Sequence, residues 1–131
     1  MHCFTKNEAA NLPELNRYCS EVHYYRRKTG HKGYSLKLPY IVASRTNEAL
    51  IQRLLQDNYP ILLEGVHCSS PLLDGRLKGR RIVLRSINVE HTYYKQLAIH
   101  SRSLWKKLHY YLESKLLKKL ETNLAPSVPI L

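Results

Sequence analysis

Two histidines in the middle of the chain have the chemistry to bind and orient hydroxyl groups. His67 follows the apolar run Pro60 to Leu63, and His91 follows the apolar run Ile82 to Leu84. An imidazole changes its charge near neutral pH, so it can bond a hydroxyl or stabilise charge that develops on a phosphate. We therefore predict His67 and His91 as candidate catalytic residues.

Four neighbours of these histidines are candidate ligands for hydroxyl groups. Glu64 and Gly65 directly follow the first apolar run, and Asn88 and Glu90 follow the second. Each has an alternative structural explanation. Glutamates at a helix start interact favourably with the helix dipole, an asparagine often caps a helix, and a histidine can pack or cap a loop. Both interpretations stay open at this point.

Cys68 suggests two further kinds of site. One is a zinc site with His67 and His91, and the other is a nucleophilic thiol. Two adjacent ligands and one distant ligand do not match the usual spacing of zinc sites, and no oxyanion-binding element is recognisable. The other cysteines, Cys3 and Cys19, make an odd total at wide spacing, which predicts reduced thiols rather than a disulfide framework. We expect no metal and no cofactor.

The two apolar runs predict strands that are buried on both faces, because their hydrophobic residues are continuous rather than alternating. Residues 64–81 between them contain a helix-length piece and a glycine-bounded turn, which favours a crossover between parallel neighbours. Ligands collect beyond the carboxyl ends of parallel strands. His67 and His91 are therefore expected at the same edge of one sheet. Glu21 to Tyr25 predicts a third strand, and Met1 to Phe4 a further strand fragment.

Helix signals alternate with these strands, so the predicted fold class is α/β, a Rossmann-like parallel sheet flanked by helices over residues 1–124. Residues 125–131 read as a loose tail. The predicted helices are Pro13 to Tyr18, a short helix after Pro39, Asn47 to Asp57 with Asn47 as N-cap, Asn88 to His100 with Asn88 as cap, and an amphipathic helix over Ser103 to Asn123. In the last helix, we expect Leu104, Trp105 and Leu108 to pack on the sheet and the part beyond Leu116 to fray or self-associate.

The net charge of +11 predicts an anionic partner, which could be nucleic acid, a phosphorylated small molecule or an anionic membrane surface. The basic residues are spread over loops and the last helix rather than gathered in a nucleic-acid motif. A hydrophobic content of 44% excludes a disordered chain. No run is long enough for a membrane span and no signal peptide is recognisable, so we expect a cytoplasmic domain.

Several short motifs, taken in order, resemble one protein family. They are Tyr24-Tyr25 before Lys28-Thr29-Gly30, YPILLEGVH at 59–67, NVEHTYYKQLA at 88–98, and a Leu/Lys helix that closes in Lys119-Leu120-Glu121. From about His2 to Glu121, the chain resembles the N-terminal domain of bacterial glycosyltransferases of the two-domain GT-B fold. The resemblance is to the large retaining group that includes mannosyltransferases and enzymes of cell-surface polysaccharide synthesis.

The resemblance implies a Rossmann-like domain that binds a glycan or lipid-linked acceptor. It also implies that the acceptor-binding residues are Glu64, Gly65, Asn88 and Glu90. In this family a second domain binds the nucleotide-sugar donor, and the sequence has nothing left to encode that domain. The first strand and glycine-rich turn expected upstream of Met1 are also missing, so we expect a fragment that is inactive alone. The family often has a second histidine just before the asparagine, where this chain has Ile87.

Two functions therefore compete. The favoured one is the acceptor half of a glycosyltransferase, whose last helix could present lysines to anionic lipid at the inner face of the membrane. The alternative is a small basic nucleic-acid-binding α/β module without enzymatic activity. That module would bind DNA or RNA with a steep dependence on salt.

Overall fold

The four strands of the computed structural model, which describes residues 1–6, 13–86, 88–126 and 128–129, form two separate parallel pairs. The first pair joins β1 (His2–Thr5) to β2 (His23–Arg26), and the second joins β3 (Ile61–Glu64) to β4 (Ile82–Arg85). The helices are α1 (Tyr40–Ala43), α2 (Glu48–Leu54), α3 (Glu90–His100) and α4 (Leu104–Leu124). Short 3-10 turns occupy Pro13–Arg17, Gly30–Gly33, Val66–Cys68, Ser70–Leu73 and Gly75–Leu77. The fold is mixed α/β, and the Ile87 position lies outside the described residues.

The predicted strands exist, but the single sheet that we expected from them does not form. Within the described residues β2 pairs with β1, and neither of these strands bonds to β3 or β4. The two pairs nevertheless share one hydrophobic core, which includes Tyr25 from β2, Leu63 from β3 and Leu84 from β4. A local apolar run indicates that a strand is buried, whereas its pairing partner depends on residues far away in the chain, which explains the wrong prediction.

The parallel pairing of β3 and β4 was predicted correctly. Ile61 lies opposite Ile82 and Glu64 lies opposite Arg85. The first residues of the two strands are therefore paired with each other, and so are the last. The crossover between them consists of 3-10 turns rather than the single helical piece that its length suggested. It is tied to α2 because Arg76 binds both carboxylate oxygens of Glu48, at 2.7 and 2.9 Å.

The structure confirms one of the two predicted helix caps and contradicts the other. The Asn47 side chain accepts a hydrogen bond of 3.2 Å from the Leu50 amide and so caps α2 as predicted. Asn88 does not cap α3, because that helix begins at Glu90 after Val89 and has no side-chain cap. The Asn88 carbonyl instead accepts a hydrogen bond from the Ser86 hydroxyl at 3.0 Å.

Helix α4 packs on the core through its C-terminal half, which reverses our expectation. Leu117 is completely buried, and Leu120 and Leu124 are nearly so, whereas Leu104 and Trp105 are 83% and 82% exposed. Burying one leucine contributes roughly 2 kcal/mol. A helix of 21 residues spans about 32 Å, while a strand of 4 residues spans about 13 Å. One end of α4 must therefore extend past the sheet, and the periodicity does not reveal which end.

The C-terminal segment contacts the core at the positions that the structure describes. Val128 packs against the core cluster, and the Pro129 carbonyl accepts a hydrogen bond of 3.1 Å from the Leu84 amide of β4. The predicted loose tail is therefore attached to β4 at these residues, while positions 127, 130 and 131 lie outside the described part. None of the described helices is long and apolar enough to cross a membrane.

Candidate functional site

The candidate site lies at the edge where β3 and β4 end. Because Glu64 and Arg85 are register partners, both strands reach their carboxyl ends at the same edge. The Arg85 guanidinium donates from Nε to Glu64 Oε2 at 2.9 Å, and both side chains are about half exposed. This ion pair engages one oxygen of Glu64. His67 follows β3 along the chain, and His91 follows β4.

Gly65 positions the next residues rather than offering a side chain to a ligand. Its amide donates to the Arg85 carbonyl at 2.8 Å, which extends the strand ladder, and its φ of 84° is in the region that favours glycine. A Cβ atom at this position would lie 2.6 Å from the imidazole of His67. The His67 ring therefore lies against the Gly65 backbone, and a glycine is required there.

His67 is half-buried beside two cations. Burial lowers the pKa of the His67 imidazole, and the positive charges of Arg45 and Arg27 lower it further. The ring is therefore neutral at neutral pH, with one nitrogen that can donate a hydrogen bond and one that can accept. A neutral imidazole of this kind can bond a hydroxyl or a phosphate oxygen.

His91 is held by α4. Its Nδ1 atom forms a short hydrogen bond with Glu121, its backbone N–H donates to the same carboxylate at 3.4 Å, and its carbonyl accepts from the Ser114 hydroxyl at 2.9 Å. The side chains of His91 and Glu121 are 28% and 17% exposed. A carboxylate at Nδ1 fixes the tautomer of a histidine and leaves Nε2 to act on a bound hydroxyl. This pair is the strongest catalytic geometry in the described structure.

Glu121 is a site residue that we did not predict from the sequence. It lies 30 residues after His91 in the chain, on the helix that buries Leu117 and Leu124. It is one of two glutamates on an amphipathic helix rich in leucine and lysine, and nothing in that pattern distinguishes it. Only the packing of α4 against the start of α3 brings its carboxylate to the imidazole.

The remaining predicted ligands, Asn88 and Glu90, lie near the His91 end of the site. Asn88 and Glu121 line a small cavity of about 170 Å³, together with Ser86 and apolar residues of the core. Burial and the neighbouring Glu121 carboxylate raise the pKa of Glu90. Among the described residues, no hydrogen bond joins this group to His67. The predicted site therefore has two parts that share one edge.

Cys68 does not have the surroundings of a nucleophile. Burial raises the pKa of its thiol, so the thiol stays protonated at neutral pH. In the part of the chain that the structure describes, no three His, Cys, Asp or Glu side chains are grouped so as to hold a metal ion. The three cysteines are free thiols.

Two arginines near His67 were also missed. Arg27 directly follows β2 and donates from Nη2 to the Ser44 hydroxyl at 3.4 Å, while its Nε is buried without a partner among the described residues. Arg45 follows α1 and donates from Nη1 to the Ile41 carbonyl at 2.5 Å. The basic run around Arg27 was visible in the sequence, whereas Arg45 had no signal of its own.

Comparison of the chain with protein-family models, with curated proteins and with solved structures finds no match. The functional interpretation therefore depends on the geometry at the β3–β4 edge and on the motifs of the sequence itself.

Proposed function

We propose that this chain supplies the acceptor-binding half of a glycosyltransferase, which moves a sugar from a nucleotide-sugar donor to a glycan or lipid-linked acceptor. The observation that supports this most is the pairing of His91 with Glu121 beside the carboxyl ends of β3 and β4. Ligands of parallel α/β sheets bind at such edges. The motifs at 59–67 and 88–98, which resemble the acceptor domains of these enzymes, cover the same edge.

In this proposal, His91 receives the acceptor hydroxyl. Nδ1 of the ring is occupied by Glu121, so Nε2 accepts a hydrogen bond from the hydroxyl and orients its oxygen toward the anomeric carbon of the donor sugar. The bond from the anomeric carbon to the acceptor oxygen forms as the bond to the donor diphosphate breaks, and the proton of the hydroxyl passes to Nε2 of His91. Stabilisation of that diphosphate is assigned to a second domain, as in the family that the motifs resemble.

Acceptor binding can be tested by NMR with a panel of bacterial cell-surface oligosaccharides and the 131-residue chain. We expect amide shifts in residues 64–67 and 88–91, and a loss of affinity of about tenfold for His91→Gln, which is the effect of removing one well-placed hydrogen bond. His100→Gln is the matched control, because His100 lies at the far end of α3 and bonds the Gln96 carbonyl. Equal loss in both variants would contradict the proposed role of His91.

The nucleic-acid alternative predicts a different result. A basic module would bind DNA and RNA with an affinity that falls steeply as salt rises, because binding releases counterions. The glycosyltransferase proposal expects little such binding. Suppose that nucleic acid binds tightly, with an affinity that falls steeply as salt rises, and that no oligosaccharide shifts the amide signals. The nucleic-acid alternative would then replace the proposed function.

A lipid-linked acceptor would require contact with a membrane surface, and the exposed end of the α3–α4 hairpin is suited to it. Its apolar side chains are at least 49% exposed, and they are Ile99, Leu104, Trp105, Leu108, Tyr111 and Leu112, called the apolar patch below. Lys95 and Lys107 line a groove of about 420 Å³ within this patch, and none of the described residues that line it is acidic. Apolar side chains ringed by lysines are typical of helices that lie on anionic bilayers.

Binding to vesicles tests this contact. We expect the chain to sediment with vesicles containing phosphatidylglycerol and to do so poorly with phosphatidylcholine alone. Trp105→Glu should weaken binding by about tenfold or more, because roughly 2 kcal/mol of apolar burial is lost. Leu36→Glu is the control, since Leu36 is 99% exposed and lies outside the patch. If Trp105→Glu instead dissociates a dimer and leaves vesicle binding unchanged, the apolar patch is an interface between copies of the chain.

A further inference from the structure

Three separate segments bring two arginines and a neutral histidine together beside the β3–β4 edge. Arg27, just after β2, bonds the Ser44 hydroxyl at 3.4 Å. Arg45 is the next residue after Ser44, and its carbonyl accepts a hydrogen bond from the Ser70 hydroxyl at 3.3 Å. His67 precedes Ser70 in the same turn-rich segment. These bonds hold the end of β2, the end of α1 and the crossover after β3 together.

The positive charge in this cluster has no counter-charge among the described residues. Neither Arg27 nor Arg45 forms an ion pair there, although both are half-buried. Glu64, the carboxylate that precedes the crossover, is paired with Arg85. The buried Nε–H of Arg27 also has no hydrogen-bond partner in the part of the chain that the structure describes.

The chemistry of this cluster matches a phosphate. Guanidinium groups bind phosphate oxygens through parallel N–H donors, and an unpaired buried donor costs free energy that an anion would recover. The charges of Arg45 and Arg27 both act on the neutral ring of His67, which can donate one further hydrogen bond. The cluster also lies beyond the carboxyl ends of β2 and β3, where ligands of parallel strands bind.

We propose that Arg27, Arg45 and His67 form a binding site for a phosphate group carried by the acceptor. This inference rests on the proposed function for its biological ligand and narrows the acceptor to a phosphorylated class. A glycosyl phosphate in solution and a lipid-linked phosphate or diphosphate present the same group. The site binds the phosphate and takes no part in bond making.

Binding of a phosphate changes the titration of His67 in a definite direction. The groups that act on this imidazole are Arg45 from the segment after α1 and Arg27 from the segment after β2, and both keep it neutral. The Cys68 thiol and the Tyr94 hydroxyl lie near Arg45. Glu64 at the end of β3 and Cys3 of β1 lie near Cys68. A bound phosphate anion favours the imidazolium form, so it raises the pKa of His67.

The site can be tested with inorganic phosphate alone. The ring signals of His67 are followed by NMR as a function of pH, at constant ionic strength, with phosphate or chloride as the anion. We expect phosphate to raise the pKa of His67. Arg27→Gln and Arg45→Gln should each lower phosphate affinity about tenfold, as for loss of a charge-assisted hydrogen bond. Arg81→Gln removes the same charge from an exposed site and should leave affinity unchanged.

Arg45 also bonds the Ile41 carbonyl, so Arg45→Lys is included as a variant that keeps the charge if Arg45→Gln unfolds. Arg45→Lys should retain part of the affinity, because lysine carries the charge without the bidentate geometry. Equal responses of Arg27→Gln and Arg81→Gln, or no change in His67 titration with phosphate, would overturn the site. Those results would show that phosphate acts only as a general counterion.

Two further probes distinguish the sources of the phosphate. Glucose 1-phosphate represents a soluble glycosyl phosphate, and a short-chain polyprenyl phosphate represents a lipid-linked one. Tighter binding of the polyprenyl phosphate than of inorganic phosphate assigns the lipid source, and tighter binding of glucose 1-phosphate assigns the soluble source. If phosphate binds at Arg27 and Arg45 while no oligosaccharide shifts residues 88–91, the site stands and the proposed glycosyl acceptor function fails. If oligosaccharides shift residues 88–91 while phosphate does not bind at Arg27 and Arg45, only the phosphate site is ruled out.

Discussion

The carboxylate of Glu121 is bonded to both the Nδ1 atom and the backbone N–H of His91, 30 residues earlier in the chain. This double contact ties the first turn of α3 to the buried half of α4. It sets the tautomer of the imidazole and the position of the helix at the same time. A change at Glu121 is therefore expected to affect both stability and ring chemistry.

Replacing Glu121 by Ala should cost about 1 kcal/mol of the free energy of unfolding, since it leaves two donors of His91 without their partner in a partly exposed place. Urea denaturation measures this loss. Nitrogen NMR of the ring should show the proton at Nδ1 in the wild-type chain and a shift toward Nε2 in the variant. Glu14→Gln, at an exposed position, is the control for loss of charge. An unchanged tautomer in Glu121→Ala would show that the carboxylate does not orient the imidazole.

Gly65 gives a second prediction, because its backbone conformation and the ring of His67 both exclude a side chain. Gly65→Ala should destabilise the fold by about 1–2 kcal/mol from the left-handed backbone alone. It should also displace the imidazole, whose nearest atom lies 2.6 Å from the position of the new Cβ. The His67 ring signals should shift in the variant.

Gly75→Ala is the matched control for this substitution, because a Cβ at Gly75 meets nothing within 4 Å. It should be close to neutral in urea denaturation and leave the His67 signals in place. Comparable effects of the two substitutions would show that the position of Gly65 beside His67 is not a special constraint.

A comparison of sequence and structure explains which parts of the site were predictable. The strands β3 and β4 were found because their apolar runs are a local signal, and their parallel pairing was expected from the length of the crossover between them. His67 and His91 were found because they follow these runs. Glu121 and Arg45 were missed, since each reaches the site through tertiary packing that no local pattern encodes. The split of the strands into two pairs was missed for the same reason.

Glu113 supplies a third prediction, about stability and pH. This carboxylate is 5% exposed and accepts a hydrogen bond of 2.7 Å from the Tyr40 amide at the start of α1. Burial raises its pKa above the ordinary value of 4.5, so the folded chain holds this proton at a pH where the unfolded chain has released it. Its contribution to stability is therefore complete below pH 4.5 and falls as pH rises through the raised pKa.

Glu113→Gln keeps an oxygen for the Tyr40 amide and removes the titration, so its stability should not show this decline and should equal or exceed that of the wild-type chain at neutral pH. Glu113→Ala leaves the amide of Tyr40 unpaired and should cost about 1–3 kcal/mol. Urea denaturation of the three chains from acid to neutral pH measures both effects. Identical pH profiles for the wild type and Glu113→Gln would contradict the proposed titration.

The two halves of α4 provide the last prediction, because they differ in how they are buried. No residue in 104–112 is buried, whereas Leu117, Leu120 and Leu124 belong to the core cluster. A helix that lacks packing is marginally stable in water. Amide hydrogens in the half that ends at Leu124 should therefore exchange only when the whole fold opens, and those in 104–112 should exchange much faster through local fraying. Hydrogen exchange of a dilute monomer measures the difference.

The same experiment with anionic vesicles connects this local stability to the proposed membrane contact. If the apolar patch inserts into the lipid surface, the amides of 104–112 should become protected while those near Leu117 stay unchanged. The Trp105→Glu variant should lose the added protection, because its apolar anchor is replaced by a charge that lipid headgroups repel. Uniform strong protection along α4 without vesicles would mean that the exposed half is already stable by itself. The free end of the helix would then need no surface to complete it.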